Sequence, residues 1–125
     1  MRRSRRDLKV AESNFENDFL PDAVNRAYFA VYHAASACLL SEGLKPKTHG
    51  GVISEFGRVF IKTGEFEKEL GQILNELEEE RVMADYMADP EFLVEEVEIH
   101  LENARTFVQI VGEWFGLESE SSDSD

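Results

Sequence analysis

The stretch NRAYFAVYHAASACLL, residues 25–40, limits what this chain can fold into more than any other segment. Between Ala23 and Leu40 the polar side chains are Asn25, Arg26, His33, Ser36 and the hydroxyls of Tyr28 and Tyr32. A helix apolar around most of its circumference has to be covered on more than one side. A chain of 125 residues makes one domain with a real core. Its own helices are expected to fall short of covering this one, so a second chain, most simply in a homodimer, is expected to complete the cover.

The rest of the chain reads as further helices, without strand alternation. Residues 4–17 form a first helix with Leu8, Ala11 and Phe15 on one face. Pro21 suits the first turn of the second helix, 21–42, and Gly43 its C-terminal cap. Thr48 caps a third helix, 49–62, carrying Val52, Ile53, Phe56, Val59 and Phe60. A fourth runs over 65–86, and Asp89 and Pro90 open a fifth over 90–116. The expected fold is all-α, an up-and-down four-helix bundle built from helices one, two, four and five, with helix three as a short extra member. The domain spans 1–117, and the acidic tail 118–125 is expected to be disordered.

The formal net charge is −13. The four arginines of residues 1–6 cancel the four acids of residues 118–125, so the excess of acid is spread through the folded part. Such a surface repels polyanions at long range and argues against a broad nucleic-acid face, while leaving room for a small, locally basic site. One cysteine, Cys38, allows no internal disulfide and fits a reducing, cytoplasmic setting. Cys38 has no adjacent basic group and reads as a core residue. The basic start MRRSRRDLKV lacks a following apolar region and does not read as a signal peptide. No run approaches the roughly 18 apolar residues that span a bilayer, so no membrane contact is expected.

Arg26 and His33 are seven positions apart, two helical turns with little angular drift, so they share one line with Ala30 and Ala37. About 10 Å separates them along the axis. A guanidinium grips phosphate, and an imidazole exchanges protons near neutral pH. Together they make a credible site for phosphodiester cleavage. The plainer alternative pairs Arg26 with an acid of a neighbouring helix, Asp85 or Glu79, and leaves His33 as a hydrogen-bonded core histidine.

Other candidates are thinner. KPKTHGG, residues 45–51, sets His49 at a helix start that can receive a phosphate, or is simply a capped loop. RVMADY, residues 81–86, holds Arg81, Asp85 and Tyr86, with Arg81–Asp85 most simply an i,i+4 ion pair. Glu76 and Glu78–Glu80 read as a solvated acidic run, and His100 as solvated among Glu96, Glu98 and Glu102. Histidines at 33, 49 and 100 lack metal-ligand spacing. There is no P-loop, dinucleotide fingerprint or serine-nucleophile motif, so neither a metal nor a cofactor is expected.

Three blocks in order, NRAYFAVYHAASACLL, KPKTHGGVISEFGRVFIKTG and RVMADY, resemble the HEPN superfamily. More closely they resemble its small stand-alone members related to the nucleotidyltransferase-associated group. The resemblance covers roughly residues 5–116 and implies a dimeric four-helix bundle. Its R-x4-6-H motif falls on Arg26 and His33. In active members that motif marks a metal-independent endoribonuclease site where two copies meet. The resemblance therefore implies that Arg26 holds the scissile phosphate and that His33 assists proton transfer at the ribose 2′-hydroxyl or the leaving oxygen. Tyr32, His49, Arg81 and Tyr86 are candidate binding residues. A toxin–antitoxin or defence role follows, with RNA or a nucleotide as ligand and a small nucleotidyltransferase as candidate partner. Ala27 and Ala35 stand where the minimal toxin signature often has a polar residue and a tyrosine. The alternative implied by the same resemblance is a non-catalytic module that binds nucleotide or substrate for that transferase.

Overall fold

The computed structural model describes residues 1–87 and 91–117 and is an all-α bundle. Its helices are α1 (Arg2–Glu16), α2 (Leu20–Ser41), α3 (His49–Phe56), α4 (Lys68–Tyr86) and α5 (Val94–Trp114). The last helix, expected from Pro90, begins instead at Val94 after Leu93, and residues 91–93 are not helical. Asp89, Pro90 and the expected tail 118–125 lie outside the described residues.

Helix ends are set by local chemistry. After α2 the amide of Gly43 reaches the Leu40 carbonyl and that of Leu44 the Leu39 carbonyl. This closure needs a left-handed residue, supplied by Gly43 at φ +77°. Gly116 ends α5 in the same way. Between α1 and α2 the left-handed position is held by Asp18 at φ 64°. Thr48 caps α3 by accepting the Gly51 amide at 2.9 Å.

The single helix expected over 49–62 is divided. It passes into a π-helical turn, Gly57–Ile61, closed by the Lys62 amide on the Gly57 carbonyl. That turn sets Phe60 beside Phe56, and both pack on Phe66. A second left-handed glycine, Gly64, then delays α4 to Lys68.

α2 is the central rod and packs against α1, α3, α4 and α5. The chain thus covers more of α2 than its composition suggests. Ala23, Val24, Ala27, Tyr28, Ala30, Val31, Ala34, Ala35, Cys38 and Leu39 are all buried within one copy. The need for a second chain does not follow from coverage alone. What one copy leaves part-exposed is a stripe through Arg26, Phe29, His33, Ala37 and Leu40. Cys38 is a core residue as expected, and burial pushes its thiol pKa up to about 12. No helix among the described residues is long and apolar enough to cross a membrane.

Candidate functional site

Arg26 and His33 converge on one carboxylate. Asp7 of α1 lies 2.7 Å from His33 Nδ1 through Oδ2 and 3.3 Å from an Arg26 terminal nitrogen through Oδ1. The acid beside Arg26 is therefore Asp7, and neither Asp85 nor Glu79. The Asp7 side chain is 7% exposed, His33 18% and Arg26 46%, so burial increases toward the carboxylate and the guanidinium faces outward. α1 can deliver a carboxylate here because Ser4, Asp7 and Ala11 form its buried face, two small residues around one acid.

The chemistry follows from the donors. A carboxylate only accepts, so His33 donates Nδ1–H to Asp7 and keeps the Nε2 lone pair for a base role. Among the described residues Arg26 spends only one nitrogen on Asp7, leaving most of its fork for a phosphate. Its Cζ also stands 6.0 Å from the Phe29 ring centre.

A layer of rings joins this trio to the second and third sequence blocks. His33 packs on Phe29 and Tyr32 with centroids 5.8 and 5.4 Å away. His49, the first residue of α3, stacks on Tyr32 at 4.5 Å and meets Phe29 edge-on at 5.9 Å. His49 Nδ1 is 2.5 Å from the Tyr28 hydroxyl and 3.9 Å from Glu78 Oε2. Burial first, and then the Glu78 carboxylate, push the Tyr28 hydroxyl pKa far above the ordinary phenol range.

Arg81 closes this end. Its guanidinium lies 5.0 Å above the Tyr28 ring and bonds Glu78 and Asp85, each at 2.7 Å. The expected Arg81–Asp85 pair is thus present, but it is shared with Glu78. Burial works against the Arg81 charge, and Glu78, Tyr28 and Asp85 together more than offset it, so its pKa stands above the usual guanidinium value. Glu78 is not part of a solvated run, because it is largely buried under Arg81.

Tyr32, His49 and Arg81 thus come together with Arg26 and His33. Tyr86 does not; it is 84% exposed at the end of α4. His100 is half-buried, with an Nδ1 that lacks a hydrogen bond among the described residues, and so departs from the solvated placement expected for it. Sequence reasoning missed Asp7, the Tyr28 hydroxyl and Glu78. The available signal for Asp7 was an acid three residues from Ser4 and four from Ala11, on the packed side of a helix otherwise rich in arginine.

A model of the HEPN domain matches residues 1–114. The chain belongs to the HEPN family. Among its relatives, a UPF0332 protein of Thermotoga maritima is 39% identical over 110 residues, covering 88% of this chain and 83% of that protein. A protein named "Putative toxin" from Methanocaldococcus jannaschii is 41% identical over 102 residues, covering 82% of this chain and 75% of its own length. A second protein of that name from the same organism is 34% identical over 106 residues, covering 85% and 72%. Family membership and the all-α bundle both agree with the sequence reading.

Proposed function

We propose that this HEPN protein is a metal-independent endoribonuclease of the toxin type, with Arg26 and His33 as its catalytic residues. The observation that carries the reading is the shared Asp7 carboxylate, which fixes His33 through Nδ1 and leaves Nε2 and most of the Arg26 fork for substrate. In this reading Arg26 grips the scissile phosphate and steadies the charge that grows on it. His33 takes the proton of the ribose 2′-hydroxyl. Tyr32 and His49 line the same face, and Arg81 supports it from behind.

Local cations on α1 support RNA binding despite the overall acidity. Arg2, Arg3 and Arg6 are exposed on the first turns of α1, and Arg3 is one turn before Asp7. These cations, on the helix that carries Asp7, favour an RNA strand on an otherwise acidic protein.

A homodimer fits the part-exposed stripe of α2. Arg26, Phe29, His33, Ala37 and Leu40 follow helical seam spacing, and Leu40 is 54% exposed. Pairing two such stripes brings two Arg26–His33 sets to one seam. The relatives' toxin names support a neutralising partner, for which a small nucleotidyltransferase is the candidate. A cytoplasmic location goes with an RNA substrate and a lone thiol.

The test is cleavage of an RNA oligonucleotide and a DNA of the same sequence in excess chelator. The reading expects the RNA to be cut and the DNA to stay intact, because the nucleophile is the 2′-hydroxyl. Cutting of both, or cutting that stops in chelator, contradicts it. Intact RNA with nucleotide bound to the protein supports the non-catalytic binding module instead.

A further inference from the structure

Within one copy, Arg26 and His33 supply an acceptor for the 2′-hydroxyl proton and no separate donor for the leaving oxygen. When the 2′-oxygen attacks phosphorus, the 5′-oxygen departs as an alkoxide, a very poor leaving group unless it is protonated. His33 has accepted the 2′-hydroxyl proton and cannot deliver another to the far side of the phosphorus in the same step.

A second imidazole lies on the same ring layer. Phe29 and Tyr32 each touch both His33 and His49. The two histidines therefore flank one aromatic pair, beside the guanidinium that stands over Phe29. Both are held from behind through Nδ1, and neither Nε2 makes a hydrogen bond among the described residues. His49 is 40% exposed, open to a ligand.

The groups behind the two rings differ. His33 faces a carboxylate. His49 faces the hydroxyl of Tyr28, and beyond it Glu78, whose buried Oε2 lacks a hydrogen bond. A hydroxyl has one proton to give and an oxygen that accepts. Tyr28 presents its oxygen to a proton on His49 Nδ1, and Glu78 Oε2 lies 3.9 Å from the same nitrogen. The Nδ1–H bond to Tyr28, with the Glu78 carboxylate behind it, then persists while the proton on Nε2 comes and goes. The raised pKa of Tyr28 keeps it a hydroxyl throughout.

We propose that His49 is the general acid of the reaction, giving its Nε2 proton to the departing 5′-oxygen, with Tyr28 and Glu78 as positioning residues. This rests on the nuclease reading of Arg26 and His33. In balance, the O2′–P bond forms as the 2′-hydroxyl proton passes to His33 Nε2. The P–O5′ bond breaks as the His49 proton passes to O5′, leaving a 2′,3′-cyclic phosphate and a 5′-hydroxyl. Exchange with water resets both rings.

The bond cut by the unaltered protein is first mapped on RNA, and an oligonucleotide is then made with sulfur in place of the 5′-oxygen at that bond. A thiolate leaves without being protonated, so the sulfur substrate bypasses a general acid. His49→Ala should slow cleavage of ordinary RNA about 100-fold or more, and should cut the sulfur substrate within a few-fold of the unaltered protein. His33→Ala should be slow on both. Equal loss on both substrates in His49→Ala, or no loss on either, overturns the role of His49 and leaves the nuclease reading standing. Absence of chelator-resistant cleavage by the unaltered protein overturns both. Recovery on sulfur also shows that the His49 variant is folded, and His49→Gln, which keeps a hydrogen-bonding group near Tyr28, should behave in the same way.

Discussion

Asp7 Oδ2 lies 2.7 Å from His33 Nδ1 across the α1–α2 contact, which makes a buried carboxylate the anchor of a part-exposed imidazole. This one bond sets the orientation of the ring and which nitrogen holds its proton.

Asp7→Asn keeps the size of the side chain and removes its charge. An amide can offer a donor to Nδ1 and so allow the ring to present Nε2–H, the wrong form for a base. RNA cleavage should fall about 10- to 100-fold, part of what general base catalysis contributes. Unfolding stability should fall by about 1–2 kcal/mol, since hydrogen bonds to charged groups contribute more than neutral ones. Single-turnover cleavage and urea denaturation check the two effects separately.

Tyr28 links stability to alkaline pH. Its folded pKa is raised, by burial first and by Glu78 second, above the value of about 10 that it has in an unfolded chain. The contribution is therefore complete below about pH 10, where the hydroxyl is protonated in both states. It is lost as pH rises further, because the unfolded chain ionises first. Urea midpoints should drop above about pH 10, and Tyr28→Phe should drop less over the same range. At neutral pH Tyr28→Phe should cost about 1–2 kcal/mol, because it strips His49 Nδ1 of its partner.

Asp18 occupies a left-handed position at φ 64°, where its side chain makes no hydrogen bond among the described residues. The amides of Asp18 and Phe19 close α1 on the carbonyls of Phe15 and Asn14, the closure that Gly43 and Gly116 perform elsewhere. Asp18→Gly should raise stability by up to about 1 kcal/mol, read as a higher denaturation midpoint with unchanged RNA cleavage.

The helices and their order were legible because apolar residues recur at helical spacing and glycine marks the end of α2. Two boundaries were not. Phe60 and Phe66 are both buried, so the apolar pattern runs through the π-helical turn and the Gly64 turn without a break. The Arg26–His33 line was legible because two polar residues stand out in an apolar helix. Asp7 was hidden, since an acid among arginines reads as a surface ion-pair partner. Glu78 was hidden in a run of four acids interrupted by Leu77. Which of these faces inward depends on how α4 lies against α2, and a single-chain pattern does not carry that.

The central claim, that His33 and Arg26 cut RNA without a metal, is tested most directly by single-turnover cleavage in excess chelator. The unaltered protein is compared with His33→Ala and Arg26→Ala, each shown to keep its helical content and oligomeric state. The account predicts cleavage by the unaltered protein and a fall of at least about 100-fold in each variant. Undiminished cleavage in either variant, or intact RNA with all three proteins, would contradict it.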